Sequence, residues 1–250
     1  VRLHARQFVM FLAALGIWEA LSTVGWLDSL FFPPPSFLVR AGWTMAWQGE
    51  LLPVIQATLA KALLGFAFGS ASGAIAGLLM GGSVRVRRNL EPVISALYTT
   101  PKLSLLPILL LILGIGRTAG VLLIAVGCFI ILALQLADSI RNLNPVYAEM
   151  AANYGASRKE VVRNVYLPAT LPSLFTGLRL ALGRSLVTAI SVEMISSGDG
   201  LGGMIWMAWQ LLATERLFIA VFFAALLGLL FHGALHAVET KAVPWSDRNA

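Results

Sequence analysis

Residues 148–168, AEMAANYGASRKEVVRNVYLP, form a polar, charged interruption between long apolar runs. Just ahead of them, Asn144 and Pro145 read as a helix start, with Asn as N-cap and Pro at the first helical position. The helix runs through Glu149 to Tyr154, and Gly155 suits a left-handed C-cap. Ser157 and Glu160 have the S-x-x-E spacing of a capping box and open a second helix. That helix offers Val161, Val162 and Val165 on its apolar side and ends near Leu167 and Pro168. Thr170 and Pro172 restart the chain as a membrane span. Ala151 and Ala152 keep the first helix thin enough to seat in a groove. A simple connector needs neither two capped helices nor a glycine hinge and a proline stop. Local physics leaves two readings open: an interfacial hairpin without a partner, or a hairpin built to dock against another protein.

The flanking sequence shows what this hairpin interrupts. Of 250 residues, 58% are apolar and 12% are charged, against about 25% charged in a soluble domain. The apolar residues come in runs of about 20, the length that crosses a bilayer. Six spans are expected, at about 7–25, 58–82, 92–114, 118–138, 171–196 and 215–238, within a single transmembrane domain covering 1–250. The opening VRLHARQ leads into an apolar run to Val24 with no small-residue cleavage site, and reads as an uncleaved first span. The net charge of +6 sits in short loops, so it reports topology before any nucleic-acid partner. The one cysteine, Cys128, lies inside an apolar run and supports neither a disulfide nor a zinc framework.

Arg2, Arg6, Arg85, Arg87, Arg88, Arg141, Arg158, Lys159, Arg163, Lys241 and Arg248 fall on one side of these spans, and only Arg40, Arg117 and Arg216 on the other. The positive-inside rule then puts both termini and the 139–170 loop in the cytoplasm. Trp26, Phe31, Phe32, Trp43, Trp47, Trp206 and Trp209 lie near the opposite face, as an interfacial belt does. After Pro33, Pro34 and Pro35, Ser36 is expected to cap a short surface helix running to about Gln48.

Gly65, Gly69, Gly73, Gly77 and Gly81 recur at a strict spacing of four in the second span. They mark a close helix–helix approach, within this chain or with a second copy. Ionisable and polar groups inside spans are costly and become translocation-pathway candidates: Lys102, Ser104, Gln135, Glu193 and Ser196. Lys102 follows Pro101 in a polar neighbourhood with Thr99 and Thr100, and either attracts an anionic solute or pairs with an acid. Glu193, followed by Ser196, Ser197, Gly198 and Asp199, reads as part of an outer gate or as a carboxylate tied to a neighbouring helix. Asp138 pairs with Arg141 by spacing. His232, His236 and Glu239 share a helix face, but HExxH is absent and no metal site is assigned.

The 148–168 segment resembles the EAA loop of permease subunits from binding-protein-dependent ABC importers. That pattern is E-A-A, three residues, G, nine residues, I, one residue, L-P. Glu149, Ala151, Gly155, Leu167 and Pro168 fall in register, while Met150 replaces the first alanine and Val165 the isoleucine. TTPKLSLLPILLLILGIG, GASRKEVVRNVYLPATLPSLFTGLRLALG and EMISSGDGLGGMI extend the resemblance to the nitrate, sulfonate and taurine branch. It implies an all-α membrane protein with the type I importer permease fold, about six spans and a cytoplasmic coupling helix in the bacterial inner membrane. It also implies that Glu149, Ala151, Ala152, Gly155, Ala156, Ser157, Arg158, Leu167 and Pro168 contact a cytoplasmic ABC ATPase dimer. A second permease copy and a periplasmic or lipid-anchored substrate-binding protein complete the implied assembly.

No G-x-x-x-x-G-K-[ST] phosphate loop occurs in these 250 residues, and no lysine follows a glycine. No cofactor is therefore assigned to this chain; ATP and Mg belong to the partner ATPase, and the chain is not read as an enzyme. A secondary transporter is the first rival, but no internal repeat is visible. A membrane enzyme is the second, but its reactive cluster is missing. The branch suggests a small anion such as a sulfonate or nitrate, with a pyrimidine thiamine precursor or another small aromatic compound as the alternative.

Overall fold

Apolar runs bounded by glycine, proline and polar residues become helices, and the described residues contain no strand. A computed structural model describes residues 2–196 and 198–244, with the backbone alone at 2–5, 8, 148 and 158. The helices are α1 (Arg2–Thr23), α2 (Pro35–Trp47), α3 (Leu51–Gly82), α4 (Val84–Thr99), α5 (Leu106–Leu113), α6 (Arg117–Arg141), α7 (Pro145–Asn153), α8 (Arg158–Val161), α9 (Leu167–Ser196), α10 (Leu201–Gln210) and α11 (Thr214–Ala242). Among them α3, α6 and α11 are long and apolar enough to cross a bilayer, and the bent pair Val84–Thr99 with Lys102–Leu113 counts as a fourth such segment. α9 has 30 residues, about 45 Å at 1.5 Å per residue, but it carries Arg179, Arg184 and Glu193.

Three local expectations change. The continuous span over 92–114 is broken by a 90° bend. Thr100 is extended ahead of Pro101, as a residue before proline prefers, and Lys102–Leu105 form a 3-10 turn before α5. Ser36 is not the cap of α2: Pro34 holds that place with Pro35 first in the helix. Instead Ser36 gives its N–H and hydroxyl to Glu19 of α1, at 2.9 and 2.7 Å. Pro168 does not stop the second hairpin helix either. Val162–Tyr166 form a π turn, closed by the Leu167 N–H on the Val162 carbonyl, and the chain runs straight on as α9. The wider turn absorbs the hydrogen bond that proline cannot make.

The chain clusters into two compact units. One comprises Val1–Thr58 and Glu193–Leu226. Its apolar centre joins Met45 of α2, Leu51 and Ile55 of α3, Met204 of α10 and Ile219 and Phe223 of α11. Trp26, Phe31, Phe32, Trp43, Trp47 and Trp209 are exposed on it.

The other unit comprises Leu59–Val192 and Leu227–Ala250. It is organised around α6, which buries eleven side chains or glycines, from Ala119 to Ile140. Ala62, Ile124, Cys128, Leu132, Ala181 and Ala189 bring α3, α6 and α9 together. Met80, Ile94, Ile130, Ala133 and Ala137 bring in α4. The five spaced glycines of α3 all face α6. A methyl added at Gly65, Gly77 or Gly81 would sit 2.5, 2.7 or 2.6 Å from Ile124, Ala133 or Ile140, and at Gly69 or Gly73 it would overlap the backbone of Ala125 or Phe129.

Candidate functional site

The polar loop is assembled by local chemistry. The Asn144 side chain accepts the Val146 N–H at 3.0 Å and caps α7, with Pro145 in its first turn. Gly155 has φ +82°, a conformation glycine adopts without the steric cost of a Cβ. Ser157 then donates its N–H and its hydroxyl to Glu160 Oε2, each at 2.7 Å. Those bonds, the hydroxyl's first, hold the Glu160 carboxyl below the usual carboxylate range. The Glu160 N–H reaches back to Ser157 Oγ at 3.4 Å, closing the capping box.

Of the loop residues singled out by sequence, Glu149, Ala152, Gly155, Ser157 and Leu167 are exposed, while Ala151, Ala156 and Pro168 are half-buried. The Arg158 side chain lies outside the described residues. Large side chains are also open, two outside the motif's fixed positions and one in place of its first alanine: Tyr147 is 61%, Tyr154 88% and Met150 52% exposed.

The polar groups of the spans are distributed differently. Glu193 is fully buried. Its Oε2 accepts the Thr58 hydroxyl at 2.8 Å and the Gly202 N–H at 3.0 Å. Thr58 Oγ1 in turn accepts the Leu201 N–H at 2.8 Å. Glu193 and Thr58 thus satisfy the first amides of α10, which would otherwise lack partners. Gly200, at φ +124°, lies flat against the same carboxylate, where a Cβ would overlap it. Ser196 is half-buried, and Ser197 lies outside the described residues.

Lys102 is half-buried in the 3-10 turn. Its Nζ donates to the Tyr98 carbonyl at 3.2 Å and lies 5.6 Å from the Tyr98 ring centre. Ser104 is exposed beside it. Gln135 lines Gly177 of α9, where an added Cβ would come within 3.2 Å of its Cγ. Asp138 pairs with Arg141 at 3.2 Å. Glu239 is buried against Arg179 of α9 in a short ion pair, so it is committed away from the exposed His232 and His236. Among the described residues, no group of three potential ligands is placed to hold a metal.

Sequence reasoning passed over Thr58, Lys61, Arg179 and Arg184. Lys61 is buried in α3. The signal for the three cations was the same intramembrane charge that drew attention to Lys102.

These elements can be compared with known proteins. A family described as "Binding-protein-dependent transport system inner membrane component" matches residues 69–243. The chain belongs to this family. Its relatives include the aliphatic sulfonates transport permease protein SsuC of Escherichia coli K12, 34% identical over 232 residues, covering 93% of this chain and 88% of that protein. The taurine transport system permease protein TauC of the same strain is 30% identical over 236 residues, covering 92% and 86%. An inward-facing structure of the MetNI methionine ABC transporter matches with a TM-score of 0.69 at 20% identity, covering 80% of this chain and 98% of that one. The fold is that of a type I ABC importer permease, a multi-pass membrane protein. Family membership implies an ATPase and a substrate-binding protein as partners.

Proposed function

We propose that the chain forms the translocation path of an ATP-driven importer for a small anion such as a sulfonate or nitrate, and draws its energy from a separate ATPase through residues 144–168. The observation that carries this reading is the loop itself. It is capped at both helices and turned by Gly155, yet it leaves Tyr147, Met150 and Tyr154 open to solvent. Exposed apolar side chains on spans are met by lipid; in a polar loop outside the spans they mark a docking surface. The charge distribution supports a cytoplasmic position for both termini and this loop. The missing phosphate loop supports a separate chain for nucleotide, with ATP and Mg on that partner.

In this mechanism two copies of the chain enclose the path, two ATPases grip the two loops, and a binding protein delivers the solute from the other side. Closure of the ATPases around ATP moves each hairpin. Because the π turn joins α8 to α9 without a stop, the movement enters the 30-residue α9 directly. The names of SsuC and TauC support an anionic sulfonate as solute.

The test is uptake of labelled taurine and of an aliphatic sulfonate into proteoliposomes holding the complete transporter. Uptake that requires ATP on the loop side and the binding protein on the other supports the reading. Uptake that survives ATP removal and collapses with an ion gradient overturns it in favour of a secondary transporter.

A further inference from the structure

The ionisable groups along the spans divide into closed and open ones. Glu193 is enclosed by Thr58 and Gly202, and Glu239 by Arg179. Arg184 differs. It is exposed on α9, and among the described residues it forms no hydrogen bond or ion pair. It lies twelve residues before Ser196 and seventeen after Leu167, about 18 and 26 Å from the two ends. That distance is too long for a side chain to reach either end of the helix. A charge so placed is rarely left facing lipid, and normally faces a water-filled path or a counter-charge. Its exposed neighbours on the helix are Leu180, Gly183 and Val187.

Lys102 belongs to the same unit. Val192 of α9 packs with Leu105 and Leu106 at the bent segment, so α9 runs past the turn that carries Lys102. The Arg184 and Lys102 charges are within range to act on each other. Lys102 spends one donor on the Tyr98 carbonyl and keeps two. Two cations in one unit, neither paired with a carboxylate among the described residues, form a field that draws an anion. A guanidinium adds the flat fork that fits an oxyanion in two hydrogen bonds.

We propose that Arg184, assisted by Lys102, is the specificity-determining group of the path, and that it selects solutes bearing a small oxyanion head such as a sulfonate. This inference rests on the importer reading above and names the residue that sets its solute charge. Arg184 is a binding group here, with no chemical step assigned to it.

The test uses the complete transporter in native membranes with Val187→Cys as reporter; the single native cysteine, Cys128, is buried. Anionic sulfonatoethyl and cationic trimethylammonioethyl methanethiosulfonates are applied, and their rate ratio is normalised to that for a small free thiol. The normalised ratio should favour the anionic reagent at least about tenfold, the lower range for a charged cleft. It should fall to near one in Arg184→Gln, stay high in Arg184→Lys, and drop partway in Lys102→Gln. A reporter inert to both reagents overturns the proposal, as does a ratio that ignores both Arg184→Gln and Lys102→Gln. If Arg184→Gln fails to accumulate, the Arg184→Lys and Lys102→Gln arms decide the matter. ATP-driven uptake of labelled taurine by the reporter transporter separates the two readings. Loss of ATP dependence with the ratio intact breaks the importer reading, and ATP-driven uptake with no charge preference breaks this inference alone.

Discussion

The α3–α6 seam and the 144–168 loop were both conspicuous in the sequence, one by five glycines in register and the other by caps, hinge and charge. In the structure they have opposite fates. Every glycine of the seam is occupied by α6 of the same chain, down to backbone contact at Ala125 and Phe129. The loop satisfies its own polar groups through Asn144, Ser157 and Glu160, then presents Tyr147, Met150 and Tyr154 to nothing within the described residues. A feature used up inside the chain sets the fold. A feature that is locally ordered but left open points outward, to a partner. The distinction is physical: the seam should govern stability, and the loop should govern assembly.

The strongest way to break the comparison is at the seam. Gly73→Val places a branched side chain where even a methyl overlaps the Phe129 backbone. The expected loss is about 3 kcal/mol, the upper range for overpacking, read as a large fall in the thermal midpoint of the purified protein. Near-normal stability would mean that α3 and α6 are not in close contact. Next is the Arg179–Glu239 pair, with Glu239 at 4% and Arg179 at 30% side-chain exposure. Glu239→Ala should cost about 2 kcal/mol. That is less than the ~3–5 kcal/mol of a fully buried pair, since Arg179 keeps some access to water. Adding Arg179→Met should recover part of the loss, and equal stability of the single and double variants would argue against a pair. Thr58→Val removes both the donor to Glu193 and the acceptor for Leu201. About 1–2 kcal/mol is expected, with faster hydrogen exchange confined to the start of α10.

How much of this was legible in the sequence follows from range. The Asn144 cap, the Gly155 turn and the Ser157–Glu160 box lie within a few residues of each other, so their residue types and spacing determined them. The glycine ladder announced a close approach but carried no information on which helix would fill it. The Glu193–Thr58 bond joins groups 135 residues apart, and no local pattern links them. Pro168 read as a stop because a regular α-helix cannot pass it comfortably. The π turn over Val162–Tyr166 changes the hydrogen-bond register and lets the helix continue, a solution that residue preferences do not reveal. Arg184 was passed over although it falls within the 171–196 run, and only the helix faces show that it stays open while Arg179 is closed.

The smallest expected effect sharpens the loop side of the comparison. Glu160 has a folded-state pKa depressed by its Ser157 bonds. Its contribution is therefore fully present above the unfolded carboxylate pKa and is lost as pH falls through the lower folded value. Between neutral pH and about pH 5, the protection of the first α8 amides against hydrogen exchange, relative to their intrinsic rates, should hold steady, then fall on further acidification. Ser157→Ala should remove that pH dependence while leaving global stability nearly unchanged, and a persisting acid step would assign it to another group.

The central claim is that the open loop is the grip of a separate ATPase. Its most direct test is co-purification of that ATPase with the chain carrying Glu149→Arg together with Tyr154→Ala. These are exposed positions, where surface substitutions usually shift stability by within about 0.5 kcal/mol. The account predicts an unchanged thermal midpoint and loss of the ATPase from the purified complex. Full retention of the ATPase, with solute-stimulated ATP hydrolysis intact, would contradict it.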